Sequence, residues 1–191
     1  MKIILPLLLV LASLPAISQQ TSGTVPSTQN GQLQNGQLSE RGLERISKEV
    51  HHELVLLPYY GVFDNLAYKV SPDGTVTLLG QVVRPTTKSD AENAVKHIEG
   101  VERVDNQIQV LPLSPNDDRI RRDTYRAIYG NSALSEYGLR AVPTIHIIVN
   151  NGHVTLEGAV ARQMDKQIAE MQAKQVPGVF SVTNDLQVDN S

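Results

Sequence analysis

Gly74-Thr75-Val76-Thr77-Leu78-Leu79-Gly80-Gln81-Val82 and Gly152-His153-Val154-Thr155-Leu156-Glu157-Gly158-Ala159-Val160 are two versions of one segment, 78 residues apart and aligned without a gap. In both, apolar side chains fall on alternate positions, as in a strand with one face in a core. Asp73-Gly74 and Asn151-Gly152 sit at the head of each segment. These dipeptides suit the positive backbone angles of a tight hairpin, so residues 66–70 and 144–149 are predicted to be the partner strands.

The match continues at the same offset. Arg84, Lys88, Ala91, Glu92 and Lys96 meet Arg162, Lys166, Ala169, Glu170 and Lys174. Gly100-Val101, Val104, Asn106 and Val110 meet Gly178-Val179, Val182, Asn184 and Val188, and Tyr59 coincides with Tyr137. A constant offset over this length marks a duplicated unit. Each copy opens with a helical stretch, residues 43–54 or 118–129, in which Leu43, Ile46 and Val50, or Ile120, Thr124 and Ile128, recur near helical spacing. After the hairpin, Thr87-Lys88-Ser89-Asp90 reads as a helix start, and Ala91, Ala94, Val95 and Ile98 form one apolar stripe. Gly100 and Gly178 are expected to end these helices, and residues 101–111 and 179–188 to return as third strands. The fold class is α+β: two tandem α-β-β-α-β units, each a three-stranded mixed sheet packed against two helices.

The pattern G-x-V-T-L-x-G-x-V, a short helix, then G-V-x-x-V-x-N-x-I/L-x-V resembles the BON domain, which occurs in pairs in osmotically inducible periplasmic proteins. The resemblance covers about residues 41–190, as one domain at 41–113 and a second at 117–190. It implies an envelope setting, attachment to phospholipid surfaces or envelope partners, a link to stress protection, and no catalysis. The alternative is a protein-protein adaptor or structural module that does not touch lipid.

Upstream of the repeats, Lys2 precedes the apolar run 3–14 and the small residues of Ala16-Ile17-Ser18. This is the pattern of a cleaved signal peptide, residues 1–18, and directs the chain to the periplasm or beyond. The alternative is an uncleaved membrane anchor, but the run is shorter than the roughly 20 residues of a membrane span, and Pro6 within it and Pro15 just after it argue against a stable spanning helix. Residues 19–40 are rich in Gln, Ser, Thr, Asn and Gly and are expected to form a flexible linker.

Composition removes several chemistries. There is no cysteine, hence no disulfide, thiolate metal site, cysteine nucleophile or lipid-modified cysteine. A net charge of -3 gives no global attraction to nucleic acid. His51, His52, His97, His146 and His153 show no H-E-x-x-H spacing. At the 78-residue offset His146 faces Tyr68 and His153 faces Thr75, so the histidines are not a property of the repeated unit. No cofactor, metal or catalytic residue is assigned. Gly74, Gly80, Gly100, Gly152, Gly158 and Gly178 are read as architectural. The connection Leu56-Leu57-Pro58-Tyr59-Tyr60-Gly61-Val62-Phe63 is read as core filling rather than as a partner patch, since large side chains are scarce and Tyr59 repeats as Tyr137.

One stretch invites a lipid reading. In residues 118–129 four arginines lie within eight positions, and Arg119, Arg122 and Arg126 are three and four apart. With Tyr125 and Tyr129 they form a candidate contact for an anionic phospholipid surface, against the plainer reading of a solvated helix face partly neutralised by Asp117, Asp118 and Asp123. An envelope protein is the other partner class.

Overall fold

The computed structural model describes residues 38–139 and 142–189. The expected signal peptide and most of the expected linker lie outside them. The first unit contains α1 (Glu40–Val55), β1 (Asn65–Val70), β2 (Thr75–Val82), α2 (Pro85–Val95), β3 (Arg103–Asn106) and β4 (Gln109–Val110). The second contains α3 (Pro115–Tyr129), a short 3-10 turn (Ser135–Gly138), β5 (Ile145–Asn150), β6 (His153–Val160), α4 (Gln163–Lys174), β7 (Ser181–Asn184) and β8 (Gln187–Val188). In each unit the hairpin is antiparallel and the returning strand lies parallel to the central one, giving the expected mixed sheet. Each unit has its own core. Ile46, Val50 and Leu54 of α1 cover Val76, Leu78 and Val82, and Ile120 and Ile128 of α3 cover Ile145, Ile147, Val154 and Leu156.

Several boundaries differ from the sequence reading. Leu38 is buried against the first core and Ser39 caps α1 by accepting the Gly42 N–H at 3.2 Å, so residues 38–40 of the stretch expected to be flexible are part of the first unit. α2 starts at Pro85, whose fixed φ suits a first helical turn, two residues before the expected start. α2 and α4 end before Gly100 and Gly178, which instead close the turns that follow.

The third strands are broken in two. Ile108 and Leu186 leave the strand line to enter the cores, and β4 and β8 then resume parallel to β2 and β6. The repeated polar residues hold this break. Asn106 donates to the Lys88 carbonyl and the Glu92 carboxylate, both at 3.0 Å, and accepts from the Ile108 N–H at 3.2 Å. Asn184 does the same with Lys166, Glu170 and Leu186 at 2.8, 3.2 and 3.4 Å. The identity between copies at these positions therefore records a helix-to-strand staple.

The offset of 78 is not constant. It holds from β2 and β6 onward, but Tyr68 pairs with Leu78 as Ile147 pairs with Leu156, an offset of 79. His146 thus corresponds to Ala67 rather than to Tyr68. The difference lies in the turns. Asn151 (φ 52) and Gly152 (φ 78) make the two-residue turn expected of Asn-Gly, and the buried Asp117 carboxylate accepts both of their N–H groups at 2.9 Å. The first hairpin instead has a three-residue turn, Pro72-Asp73-Gly74, closed by the Ser71 N–H donating to the Thr75 carbonyl at 2.9 Å, and only Gly74 takes positive φ. In the opening helices the offset is 74. Arg45 donates to the Glu99 carbonyl at 2.9 Å, and Arg119 donates to the Pro177 carbonyl at 3.1 Å, each pinning the turn before a repeated glycine.

Tyr59 and Tyr137 therefore share a sequence offset but not a place. Tyr137 is buried; Tyr59 is 57% exposed beside Arg84, so the core-filling expectation fails for it. The Tyr137 hydroxyl accepts the Ala161 N–H at 2.9 Å and donates to the buried Asp165 carboxylate at 2.6 Å. In the first unit the buried Asp64 carboxylate does the first of these jobs, accepting the Val83 N–H at 2.7 Å. Tyr137→Phe is expected to lose about 1–3 kcal/mol, because it strands a backbone donor and removes a partner from a buried carboxylate. Urea unfolding with an unchanged midpoint would contradict this.

Candidate functional site

α3 is amphipathic, with Ile120, Thr124 and Ile128 on the buried side. The structure assigns its arginines different tasks. Arg121, missed as a special case by the sequence reading, is only 3% exposed; it pairs with Asp118 at 2.5 Å and donates to the Val149 carbonyl at 2.7 Å. Arg119 is tied by its bonds to Pro177, to Asn116 at 3.0 Å and to Asp123 at 3.4 Å. Arg126 is 72% exposed and meets the other Asp123 oxygen at 3.1 Å. Arg122 is exposed and makes no ion pair among the described residues. The exposed charges of the helix are thus Arg119, Arg122 and Arg126 against Asp123, which pairs with the first and last of them, and the half-exposed Asp118, which pairs with Arg121.

The two tyrosines also divide. Tyr129 is largely buried, donates to the Ile145 carbonyl at 2.6 Å, and has its hydroxyl pKa pushed up by burial. Tyr125 stays partly exposed, with its ring 4.8 Å from Tyr129 and 6.2 Å from Phe63. Arg122, Arg126 and Tyr125 are therefore the site residues free to meet a surface, while Arg119 and Tyr129 have internal partners.

Phe63 comes from the first unit. The α1–β1 connection serves both cores: Leu57 and Tyr60 pack on the first, Val62 and Phe63 on the second. Its Val62 carbonyl accepts the Ile147 N–H at 2.8 Å, on the edge of β5 that β6 leaves open. Tyr129, Val62 and Arg121 meet Ile145, Ile147 and Val149 in turn, so this edge is closed against pairing with other strands. Tyr60 stacks on His146 with ring centroids 5.6 Å apart. The sequence gives no signal for this joint, because the apolar residues of the connection carry no period that says which core they serve.

Reactive groups are sparse. Among the described residues no cluster of three or more His, Asp or Glu side chains is placed to hold a metal ion. His153 and Ser181 share a hydrogen bond of 2.8 Å on the surface, but no carboxylate orients the ring. An open cleft between the units is lined by amides and hydroxyls such as Gln81, Gln109, Asn150 and Thr155. Among the described residues no helix is long and apolar enough to cross a membrane.

Two copies of a small α-β-β-α-β unit, each with its own core and linked by a connection that packs on both, define a tandem α+β module. The chain belongs to the BON domain family, whose model matches residues 45–112 and 116–190. It is similar to the outer membrane lipoprotein DolP of Haemophilus influenzae, 30% identical over 113 residues, which span 59% of this chain and 58% of that protein. Two solved structures of CdsD, a structural protein of the type III secretion system of Chlamydia trachomatis, align at 12% identity. One covers 74% of this chain and 96% of the other with a TM-score of 0.28; the second covers 76% and 94% with a TM-score of 0.30.

Proposed function

We propose that this protein is a non-catalytic, exported binding protein of the cell envelope that attaches to anionic phospholipid through the outward face of α3. The observation that carries this reading is the surplus of guanidinium groups there, with Arg122 unpaired among the described residues and Arg126 and Tyr125 beside it. The similar protein DolP is by name an outer membrane lipoprotein, which supports an envelope setting. Lys2 and the apolar run after it support export to the periplasm or beyond. These 191 residues contain no cysteine that could carry a thioether-linked lipid. A part in osmotic stress protection rests on the family resemblance alone.

Each basic residue close to an anionic membrane contributes about 1 kcal/mol. The variant Arg122→Ser/Arg126→Ser is therefore expected to bind about thirtyfold more weakly to vesicles containing phosphatidylglycerol, with its fold intact. Arg119 is left in place because its bonds hold the turn before Gly178. Co-sedimentation with phosphatidylcholine vesicles, with and without phosphatidylglycerol, measures this. Equal binding by the variant would place the contact elsewhere. No lipid binding, with a protein partner recovered, would support the adaptor reading.

A further inference from the structure

His146 lies at the contact between the two units, in a buried setting that favours the neutral ring. It is buried on β5, and among the described residues its Nδ1 has no hydrogen-bond partner. One side of the ring is covered by Tyr60 of the first unit, and the backbone carbonyls of Gly61 and Asp64 in the same connection interact with the imidazole. The connection that covers it also supplies the Val62 carbonyl to β5 and places Val62 and Phe63 on the second core. A second proton on the ring would therefore put a charge and an unpaired donor into the seam.

We propose that this joint is a pH-sensitive latch, closed while His146 is neutral and released when the ring takes up a second proton in acid. The ring stands only in the second unit, since its counterpart in the first is Ala67. The direction follows from linkage. Burial is the leading influence on His146 and holds its pKa below the ordinary 6.5, so the closed joint binds fewer protons than the open one. Closure is fully supported above 6.5 and weakens by up to about tenfold per pH unit as the pH falls from there toward the lowered value.

The Asp64 and Gly61 carbonyls favour the charged ring and oppose burial, which remains the larger influence, and the other groups that face the ring do not reverse this sign. Glu157 stands opposite on β6 and is the anion placed to ease a charged ring, so it moderates the effect. From the connection come Tyr60, whose hydroxyl pKa burial pushes up to about 12, and Asp64. Burial raises the Asp64 pKa against the N–H groups of Val83 and Gly61 and the nearby Arg84 and Arg121. Its protonation favours the buried state, opposite in sign to His146, and sets in from the carboxylate side of the range.

The chain has no cysteine, so Ser89→Cys on α2 and Gln167→Cys on α4 allow a fluorophore pair, one per unit, in the otherwise intact protein. Energy transfer is expected to change reversibly as the pH falls from about 7.5 to about 5. It should stay flat in His146→Gln, whose amide can still donate to the connection but cannot gain a charge. Tyr60→Ala should give the open value at all pH values and so shows that the readout senses the joint. Transfer that does not change with pH, or that changes equally in His146→Gln, overturns the latch. So does a ring proton of His146, assigned by NMR in the unlabelled protein, that titrates at or above 6.5.

Discussion

Gly158→Ala is expected to unfold the second unit. Gly158 sits inside β6 with φ 111, and a Cβ there would lie 2.0 Å from the Thr144 carbonyl oxygen. Backbone strain at such a φ costs about 1–3 kcal/mol by itself. The clash adds to it, because the obstacle is backbone at the residue that leads into the neighbouring strand, where the Thr144 carbonyl also accepts the Ala159 N–H at 3.0 Å. A total above about 4 kcal/mol is expected, a large part of the 5–15 kcal/mol that holds a typical domain. Gly80 is in the same position, with φ 115 and the Asn65 carbonyl oxygen 2.0 Å away, so Gly80→Ala should do the same to the first unit. Gly61→Ala is the control: its φ is not positive and nothing lies within 4 Å of the new methyl group, so a change within about 0.5 kcal/mol is expected. Urea unfolding of the three variants measures the contrast. A Gly158→Ala protein as stable as the Gly61→Ala protein would contradict the strand geometry.

Leu156→Asp is expected to have an effect of similar size by another route. Leu156 is fully buried at the centre of β6, opposite Ile147 on one side and Asn184 on the other. A carboxylate there has no partner, and burying it costs several kcal/mol whether it stays charged or takes up a proton. Leu156→Met keeps volume and apolarity and should lose less than about 1.5 kcal/mol. Hydrogen exchange gives a local readout: in Leu156→Asp the amides of β5 to β8 should lose their protection. Retained protection there would mean that the strand register is wrong.

The parts of this fold legible in the sequence are those written in local periodicity. Alternation around Val76 and Leu78, and around Val154 and Leu156, locates the hairpins. Repeated glycines at 80 and 158 have a steric cause that one sequence can show only as repetition. What the sequence hides lies where the copies differ in length. One residue more in the first hairpin turn, and a longer connection after α3, move the offset from 74 to 79 and then to 78 without changing any apolar pattern. Tyr59 and Tyr137 were paired by that fixed offset, yet the hydroxyl of Tyr137 has its functional counterpart in the carboxylate of Asp64.

The same limit applies to the candidate site. Spacing alone places Arg119, Arg122 and Arg126 on one helix face, but only the tertiary structure separates Arg119, which holds the Pro177 carbonyl, from Arg122, which has no partner among the described residues. Arg121 reads like its neighbours in the sequence, yet it is buried on the edge of β5.

The claim that the outward face of α3 is the lipid contact is tested most directly by amide NMR of the intact protein during titration with bicelles containing phosphatidylglycerol. The account predicts that signals of residues 119–126 weaken first, that the weakening is reversed by salt, and that bicelles of phosphatidylcholine alone leave the spectrum unchanged. Weakening centred on the first unit or on α4, with residues 119–126 unaffected, would contradict it.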